Sequence, residues 1–117
     1  MTQTLRDLIA WQQAKALALK VYQVTRTFPD EERFGLVIQL RRAAVSIPSN
    51  IAEGRGRGTK KDFAHFLMQG RGSLYEVETQ IELANELHYL NGSDATCLLK
   101  ACDELSRVLN GLINSIT

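Results

Sequence analysis

One apolar repeat constrains the fold of this chain more than any other feature of the sequence. Between residues 63 and 88, apolar or small side chains recur at alternating intervals of four and three residues. This spacing places side chains along one face of an α-helix and is typical of the seam of a helical bundle. The sequence therefore predicts a long helix that packs against others through Phe63, Leu67, Gly70, Leu74, Val77, Ile81, Ala84 and His88.

Three other segments carry the same repeat and predict three more amphipathic helices. The first covers residues 6–25, the second residues 31–52, and the fourth follows Asn91-Gly92 with Ser93 as its N-cap. Four such helices joined by short turns predict an all-α fold, an antiparallel up-and-down four-helix bundle, in which residues 1–117 form a single domain. The predicted seams are Ala10, Ala14, Leu17, Val21, Val24 and Phe28; Val37, Leu40, Ala44, Ile47 and Ile51; and Leu98, Cys102, Leu105, Leu109, Leu112 and Ile116.

The second helix contains a proline and ends at glycines. Pro48 removes one helical hydrogen bond and clashes with the carbonyl of Ala44, which predicts a kink between these two residues. Two short helices broken at Ile47 are the alternative. Glycines at 54–58 favour a tight turn, after which Thr59 is expected to cap the third helix.

Glycines inside the third helix predict a close neighbour. Gly70 and Gly72 lie in its interior, where each glycine costs roughly 1 kcal/mol relative to alanine. The second helix, packed antiparallel, is the expected neighbour. This arrangement would bring Arg41 and Arg42 level with residues 71–73.

Basic residues concentrate in the middle of the sequence. Residues 41–71 carry seven basic and two acidic side chains, a net charge of +5 in a chain whose total is +1. Such asymmetry concerns binding partners rather than fold, and the Gly-Arg alternation at 54–58 is similar to RG-rich segments that follow nucleic-acid backbones. A solvated turn with incidental charge is the alternative. The predicted nucleic-acid-binding residues are Arg41, Arg42, Arg55, Arg57, Lys60, Lys61 and Arg71.

The sequence supports neither an enzyme nor a metal or cofactor site. Asp62 and His65 have the spacing of half of a bundle di-iron site, but His88 lacks the matching carboxylate three residues earlier. The glycine-rich turn also lacks the spacing of a nucleotide-binding P-loop. We therefore predict no catalytic residues, no metal and no cofactor. An acidic row is expected to be solvated or to pair subunits: Glu78, Glu82 and Glu86.

Cysteine usage and hydropathy predict a cytoplasmic protein. Cys97 and Cys102 fit neither a C-x-x-C motif nor a disulfide framework. No stretch approaches the roughly 18 apolar residues that a membrane span requires, so no membrane partner is expected. A chain of 117 residues would gain buried surface by association with copies of itself, which favours a homo-oligomer.

Four stretches of the sequence match the motifs of a known protein family: WQQAKALALKVY (Trp11–Tyr22), RRAAVSIPSNIAEG (Arg41–Gly54), KKDFAHFL (Lys60–Leu67) and RGSLYEVETQIELA (Arg71–Ala84). Together they resemble the 23S rRNA intervening-sequence proteins, a family of small bacterial four-helix-bundle proteins, over roughly residues 5–90. The resemblance implies a ring-like homopentamer without catalytic activity. The family is structurally similar to the accessory variability proteins of diversity-generating retroelements, which bind nucleic acid and a reverse transcriptase.

The resemblance also implies a face formed by helices two and three. Arg41, Arg42 and Arg71 belong to it, and they either contact nucleic acid or form ion pairs within or between subunits, for example with Glu76 or Glu78. Pro48 is a further motif position of this face. The remaining motif positions are expected at an oligomer interface: Ser46, Asn50, Glu53, Ser73, Glu78 and Thr79.

Two functional hypotheses follow. The first is a non-enzymatic oligomer that binds RNA or DNA through the basic helix-turn-helix segment, since a ring would repeat that charge and multiply weak phosphate contacts. The alternative is a protein-interaction scaffold or accessory subunit that holds a protein partner and makes no direct contact with nucleic acid.

Overall fold

Four α-helices account for most of the chain, which the computed structural model describes from residue 4 to residue 117. Consecutive helices pack on each other, and the last packs on the first, so the order around the bundle is the order along the chain. This confirms the predicted up-and-down four-helix bundle, and no strand occurs in residues 4–117. The bundle measures 46 × 24 × 20 Å. Its helices are α1 (Ile9–Thr25), α2 (Leu36–Gly56), α3 (Lys60–Glu86) and α4 (Gly92–Ile116), with short 3₁₀ turns at Leu5–Asp7 and Asp30–Glu32.

The core consists of the apolar seams that the sequence predicts. All predicted seam residues of the first two helices are buried, and in α3 the seam is buried from Leu67 to Ala84. In α4 the buried seam ends at Ile113, while Leu112 and Ile116 are only partly buried. A straight helix drifts by about 20° per heptad relative to a strict seven-residue repeat, which accounts for this shift. Burying each leucine or isoleucine contributes about 1.5–3 kcal/mol.

The end of α3 differs from the prediction, because His88 does not continue the seam. His88 is exposed and lies after the helix in a left-handed conformation with φ 63°. The amide of Tyr89 donates to the carbonyl of Ala84 at 2.9 Å, and the amide of His88 donates to the carbonyl of Asn85 at 3.0 Å. These two bonds define a Schellman motif, with histidine at the position that glycine usually occupies.

The helix starts confirm one predicted cap and correct another. Thr59 caps α3, its hydroxyl accepting from the amide of Asp62 at 3.1 Å, as predicted. Asn91 rather than Ser93 caps α4, since its side-chain oxygen accepts from the amide of Asp94 at 2.7 Å. Asparagine is at least as good an N-cap as serine, and Asn91 precedes Ser93, so the helix begins at the earlier of the two caps.

The second helix is continuous through its proline, which excludes the alternative of two short helices. It begins at Leu36, later than predicted, because Asp30–Glu32 forms a 3₁₀ turn and the Glu32 carboxylate accepts from the amide of Leu36 at 3.2 Å. It also runs past residue 52 to Gly56. Near Pro48, the side-chain amide of Asn50 donates to the carbonyl of Ser46 at 2.8 Å.

Glycines allow α2 and α3 to approach closely. A Cβ on Gly70 would lie 3.6 Å from the carbonyl oxygen of Ile47, which confirms the second helix as its neighbour. A Cβ on Gly54 would lie only 2.7 Å from the Cβ of Phe66. A Cβ on Gly72 would meet nothing within 4 Å, so the expected close contact is absent there.

Candidate nucleic-acid interface

Up-and-down topology gathers basic side chains at one end of the bundle. The start of α1, the end of α2, the start of α3 and the end of α4 all lie at this end. A cleft of about 240 Å³ there is lined by Arg55, Lys60, Phe63 and Ile116 among others, so α2, α3 and α4 meet at it. We call this group of residues the basic end: Arg6, Arg55, Arg57, Lys60 and Lys61.

The lysines of the basic end are the side chains most available to a ligand. Lys60 and Lys61 are exposed, and neither forms an ion pair with any other described residue. Both lie in the first turn of α3, where the helix dipole adds a positive potential. Three acidic residues lie at the same end and reduce its net charge: Asp7, Glu53 and Asp62.

Arg57 is held at the surface by two neighbours. Its guanidinium lies 3.2 Å from the Glu53 carboxylate and 5.0 Å from the ring centroid of Phe66. An exposed ion pair of this kind contributes about 0–1 kcal/mol, so a phosphate could displace Glu53 at little cost. Arg55, two residues earlier in the chain, is half-buried.

The other three predicted cations lie away from the basic end. Arg41 contacts α1, where its Nε donates to the hydroxyl of Thr25 at 2.9 Å. Arg71 contacts α4, where its Nη1 donates to the side-chain oxygen of Asn110 at 2.8 Å. Arg42 is exposed and lines a groove with Ser73 and Glu76. The seven predicted residues therefore do not form one surface.

The helix register explains this separation. Ser46 and Ser73 share a hydrogen bond of 2.7 Å across α2 and α3, so Ser46 rather than Arg42 stands opposite residue 73. Within residues 4–117, no ion pair joins Arg41 or Arg42 to Glu76 or Glu78.

The predicted oligomer-interface residues divide between the inside and the surface of the α2–α3 contact. Ser46, Asn50 and Ser73 are half-buried and bond to one another within the chain. Thr79 is exposed, and its hydroxyl donates to the carbonyl of Tyr75 at 2.8 Å. Glu53 pairs with Arg57, as described above. Whether any of them contacts another subunit stays a prediction.

Glu78, the last of these predicted residues, lies close to the core. Burial raises the pKa of the Cys102 thiol to about 12, and the negative charge of Glu78 adds a smaller effect in the same direction. Cys102 is therefore a neutral core side chain, as predicted, and the exposed Cys97 is not bonded to it.

An apolar stripe on the outside of α3 was missed by the sequence reasoning. Met68, Tyr75 and Leu83 are between 42% and 48% exposed, and Leu87 just after the helix is 51% exposed. Residues 68, 72, 75, 79 and 83 follow helical spacing one or two positions after the buried seam, so a search for a second stripe would have found it. Large exposed apolar groups in a row are typical of an interaction surface. We call Met68, Tyr75, Leu83 and Leu87 the outer stripe.

Neither a metal cluster nor a membrane span is found in the described part of the chain. No group of three His, Cys, Asp or Glu side chains within residues 4–117 could hold a metal ion. His65 is exposed, and its Nε2 lies 3.0 Å from the side-chain nitrogen of Gln69. None of the helices there combines the length and apolar content needed to cross a bilayer.

Comparison with known proteins identifies a family and a similar solved structure. A family model described as 23S rRNA-intervening sequence protein matches residues 6–111. No curated protein matches the chain. The fold is similar to the crystal structure of a protein with unknown function from the S23 ribosomal protein family of Bacteroides thetaiotaomicron VPI-5482, with a TM-score of 0.82 and 19% identity over 91% of this chain and 96% of that chain. At this identity the likeness concerns the fold alone.

Proposed function

This chain belongs to the 23S rRNA-intervening sequence protein family, and from that premise we propose that it is a non-enzymatic oligomer that binds RNA or DNA through its basic end. The observation that carries the proposal is the pair of exposed lysines, Lys60 and Lys61, beside Arg55 and Arg57 at one end of the bundle. Lysine and arginine side chains that neutralise phosphates release counterions, and this release drives binding to nucleic acid.

The distribution of acidic side chains supports one orientation on a polyanion. At the far end of the bundle carboxylates outnumber the arginines, so its net negative charge disfavours a long polyanion and leaves the basic end as the favoured contact for nucleic acid. The acidic residues at that end are Asp30, Glu31, Glu32, Glu82 and Glu86.

Oligomerisation would increase the affinity of this small basic surface. The outer stripe supplies one apolar contact face, and exposed Leu19, Tyr22 and Val45 on α1 and α2 supply another. The family resemblance favours a homopentamer, in which five basic ends share one rim. Linked weak sites bind a long ligand with an avidity far above that of each site. We place this assembly in the cytoplasm, where the unpaired Cys97 and Cys102 would stay reduced.

Fluorescence anisotropy with a labelled RNA hairpin and a labelled DNA duplex tests the proposal. We expect affinity to fall steeply between about 50 mM and about 200 mM salt. Lys60→Gln combined with Lys61→Gln should weaken binding about tenfold or more and reduce the salt slope by about 2 for each subunit that contacts the ligand. The matched control removes two exposed cations of α4, through Lys100→Gln and Arg107→Gln, and should leave affinity nearly unchanged. Binding that is absent at low salt, or equal losses in both double variants, would refute the proposal.

The outer stripe favours a second candidate, a protein-interaction scaffold. Its four large apolar side chains would bury well against a partner helix, and the acidic row of Glu78, Glu82 and Glu86 lies on the same helix. A pull-down after nuclease treatment distinguishes the two functions. One stoichiometric protein that persists after nuclease favours the scaffold, whereas loss of every partner favours nucleic-acid binding.

A further inference from the structure

A small cavity at the far end of the bundle gathers three arginines. The cavity has a volume of about 170 Å³ and lies between the end of α1, the following loop and the first half of α2. Arg26, Arg33 and Arg41 line it together with Thr25 and Asp30. Its apolar wall comprises Phe28, Pro29 and Val37. None of the three arginines belongs to the basic end.

Arg41 is oriented by neutral groups. Its Nε donates to the Thr25 hydroxyl at 2.9 Å, and its Nη2 lies 3.4 Å from the carbonyl of Tyr22. The guanidinium carbon lies 4.6 Å from the centroid of the Tyr22 ring. Thr25 is itself buried, and its hydroxyl lies 2.7 Å from the carbonyl of Val21, so the support for Arg41 is rigid.

This half-buried guanidinium has no carboxylate partner. None of the ion pairs within residues 4–117 includes Arg41. Arginine presents five N–H donors, and the two bonds described above leave most of them unused. A partly buried charge without a counter-charge is costly unless a ligand supplies one. Arg41 is therefore a prearranged donor for an anion.

The other two arginines, Arg26 and Arg33, have exposed side chains beside Arg41. Arg26 forms no ion pair with any described residue. Arg33 reaches the Asp30 carboxylate only at 3.9 Å, and its guanidinium carbon lies 4.9 Å from the centroid of the exposed Phe34 ring. Both side chains are long enough to close over an anion in the cavity, at the cost of these weak surface contacts.

Charge and size select the class of anion. Three guanidinium groups and one Asp30 carboxylate leave two unbalanced positive charges around the cavity. A phosphate monoester carries about −1.5 to −2 charges near pH 7 and accepts the paired donors of a guanidinium, whereas a carboxylate brings only one charge. Glu31 and Glu32 follow Asp30 in the chain but do not line the cavity, and their charge disfavours a long polyanion such as RNA more than a small ligand inside the cavity.

We propose that Arg26, Arg33 and Arg41 form a binding site for the phosphate group of a small molecule, separate from the basic end. Arg41 and Thr25 provide its fixed part, and Arg26 and Arg33 close over the bound group. The shared chemistry is a phosphate dianion, supplied either as free phosphate or as the phosphate monoester of an organic molecule.

Titration of the full chain, followed by NMR of the backbone amides, tests this site. Inorganic phosphate and glycerol phosphate are the two probes, and acetate and sodium chloride at matched ionic strength are the reference anions. We expect saturable shifts confined to residues 25–41, with dissociation constants in the millimolar range or tighter. A tighter constant for glycerol phosphate identifies a phosphate monoester as the natural source, and a tighter constant for inorganic phosphate identifies the free anion.

Variants separate specific binding from general charge. Arg26→Gln combined with Arg33→Gln removes only exposed side chains and should weaken phosphate binding about tenfold or more. Lys100→Gln combined with Arg107→Gln removes the same charge from α4 and should change the dissociation constant less than twofold. Shifts that sodium chloride reproduces, or equal losses in the two double variants, would overturn the proposal. Neither result would bear on nucleic-acid binding at the basic end, which Lys60 and Lys61 control.

Discussion

At the scale of single residues, the turn between α3 and α4 depends on one unusual backbone conformation. His88 adopts φ 63°, and the chain then places Tyr89 against Phe28, with ring centroids 5.5 Å apart. The Tyr89 hydroxyl donates to the Glu32 carboxylate at 2.9 Å, and this hydrogen bond raises the pKa of Tyr89. The same Glu32 accepts from the amide of Leu36. One histidine therefore positions the contact that joins the end of α3 to the start of α2.

His88→Gly is expected to stabilise the protein. A left-handed conformation costs a non-glycine residue roughly 1–2 kcal/mol, and glycine would remove this cost. The greater freedom of glycine in the unfolded chain offsets part of the stabilisation. The free energy of unfolding should rise by about 0.5–1 kcal/mol in urea denaturation at fixed protein concentration. His88→Ala serves as the comparison, because alanine keeps the Cβ atom and should give no such gain. A destabilised His88→Gly variant would show that the histidine side chain contributes more than its backbone costs.

At the scale of helices, the α2–α3 contact depends on Gly54. A methyl group there would lie 2.7 Å from the Cβ of Phe66 and 3.2 Å from the ring of Phe63, and both neighbours belong to the first turns of α3. Overpacking of this kind costs about 1–3 kcal/mol, which exceeds the roughly 1 kcal/mol that alanine gains over glycine in a helix.

Gly54→Ala should therefore lower the free energy of unfolding by up to about 2 kcal/mol. Gly111→Ala is the matched control, because Gly111 lies within α4 with nothing within 4 Å of its potential Cβ. The control should raise stability by up to about 1 kcal/mol. Urea denaturation of both variants at one protein concentration measures the difference, and a gain in both would contradict the close approach of α2 and α3.

The helices were predictable from the sequence where the features that define them, such as the spacing of apolar residues, are local. Burial repeats every three or four residues, so the seams follow from spacing alone. The start of α2 was predicted too early because a side chain, that of Glu32, accepts from its first amide, and such a bond leaves no periodic signal. Asn91 and Ser93 are both good caps, and spacing does not distinguish them.

The candidate site was predictable only where its residues are neighbours in sequence. The turn between α2 and α3 is flanked by Arg55, Arg57, Lys60 and Lys61, so these residues lie together in any helical hairpin. Arg41 and Arg71 bond to residues 16 and 39 positions away, and only the packed bundle selects those partners. Arg6 lies at the basic end because of the bundle topology, which places the start of α1 at the same end of the bundle as the end of α2.

At the scale of the whole molecule, charge and apolar surface run in different directions. The net charge is positive at one end of the 46 Å axis and negative at the other, whereas exposed apolar groups lie along the sides. Side-by-side packing of parallel copies would bury the apolar sides and keep every basic end on the same rim. An end-to-end assembly would instead cover the basic ends and leave the apolar sides in water.

Tyr75→Lys is expected to dissociate such an oligomer without unfolding the subunit. Tyr75 is 47% exposed in the single chain, so a lysine there disturbs little of the core but places a charge in the middle of the outer stripe. Sedimentation equilibrium should show a lower mass, while the helical circular dichroism stays unchanged. Thr96→Lys, at an exposed position of α4 outside the stripe, should keep the mass of the natural protein. If Tyr75→Lys sediments like the natural protein, the outer stripe is not the subunit contact.

If Tyr75→Lys dissociates the oligomer, the loss of avidity should weaken binding to a long RNA by about 10²-fold or more, while binding to a short hairpin changes little. Comparing the two ligands therefore measures how much of the affinity comes from assembly and how much from each basic end.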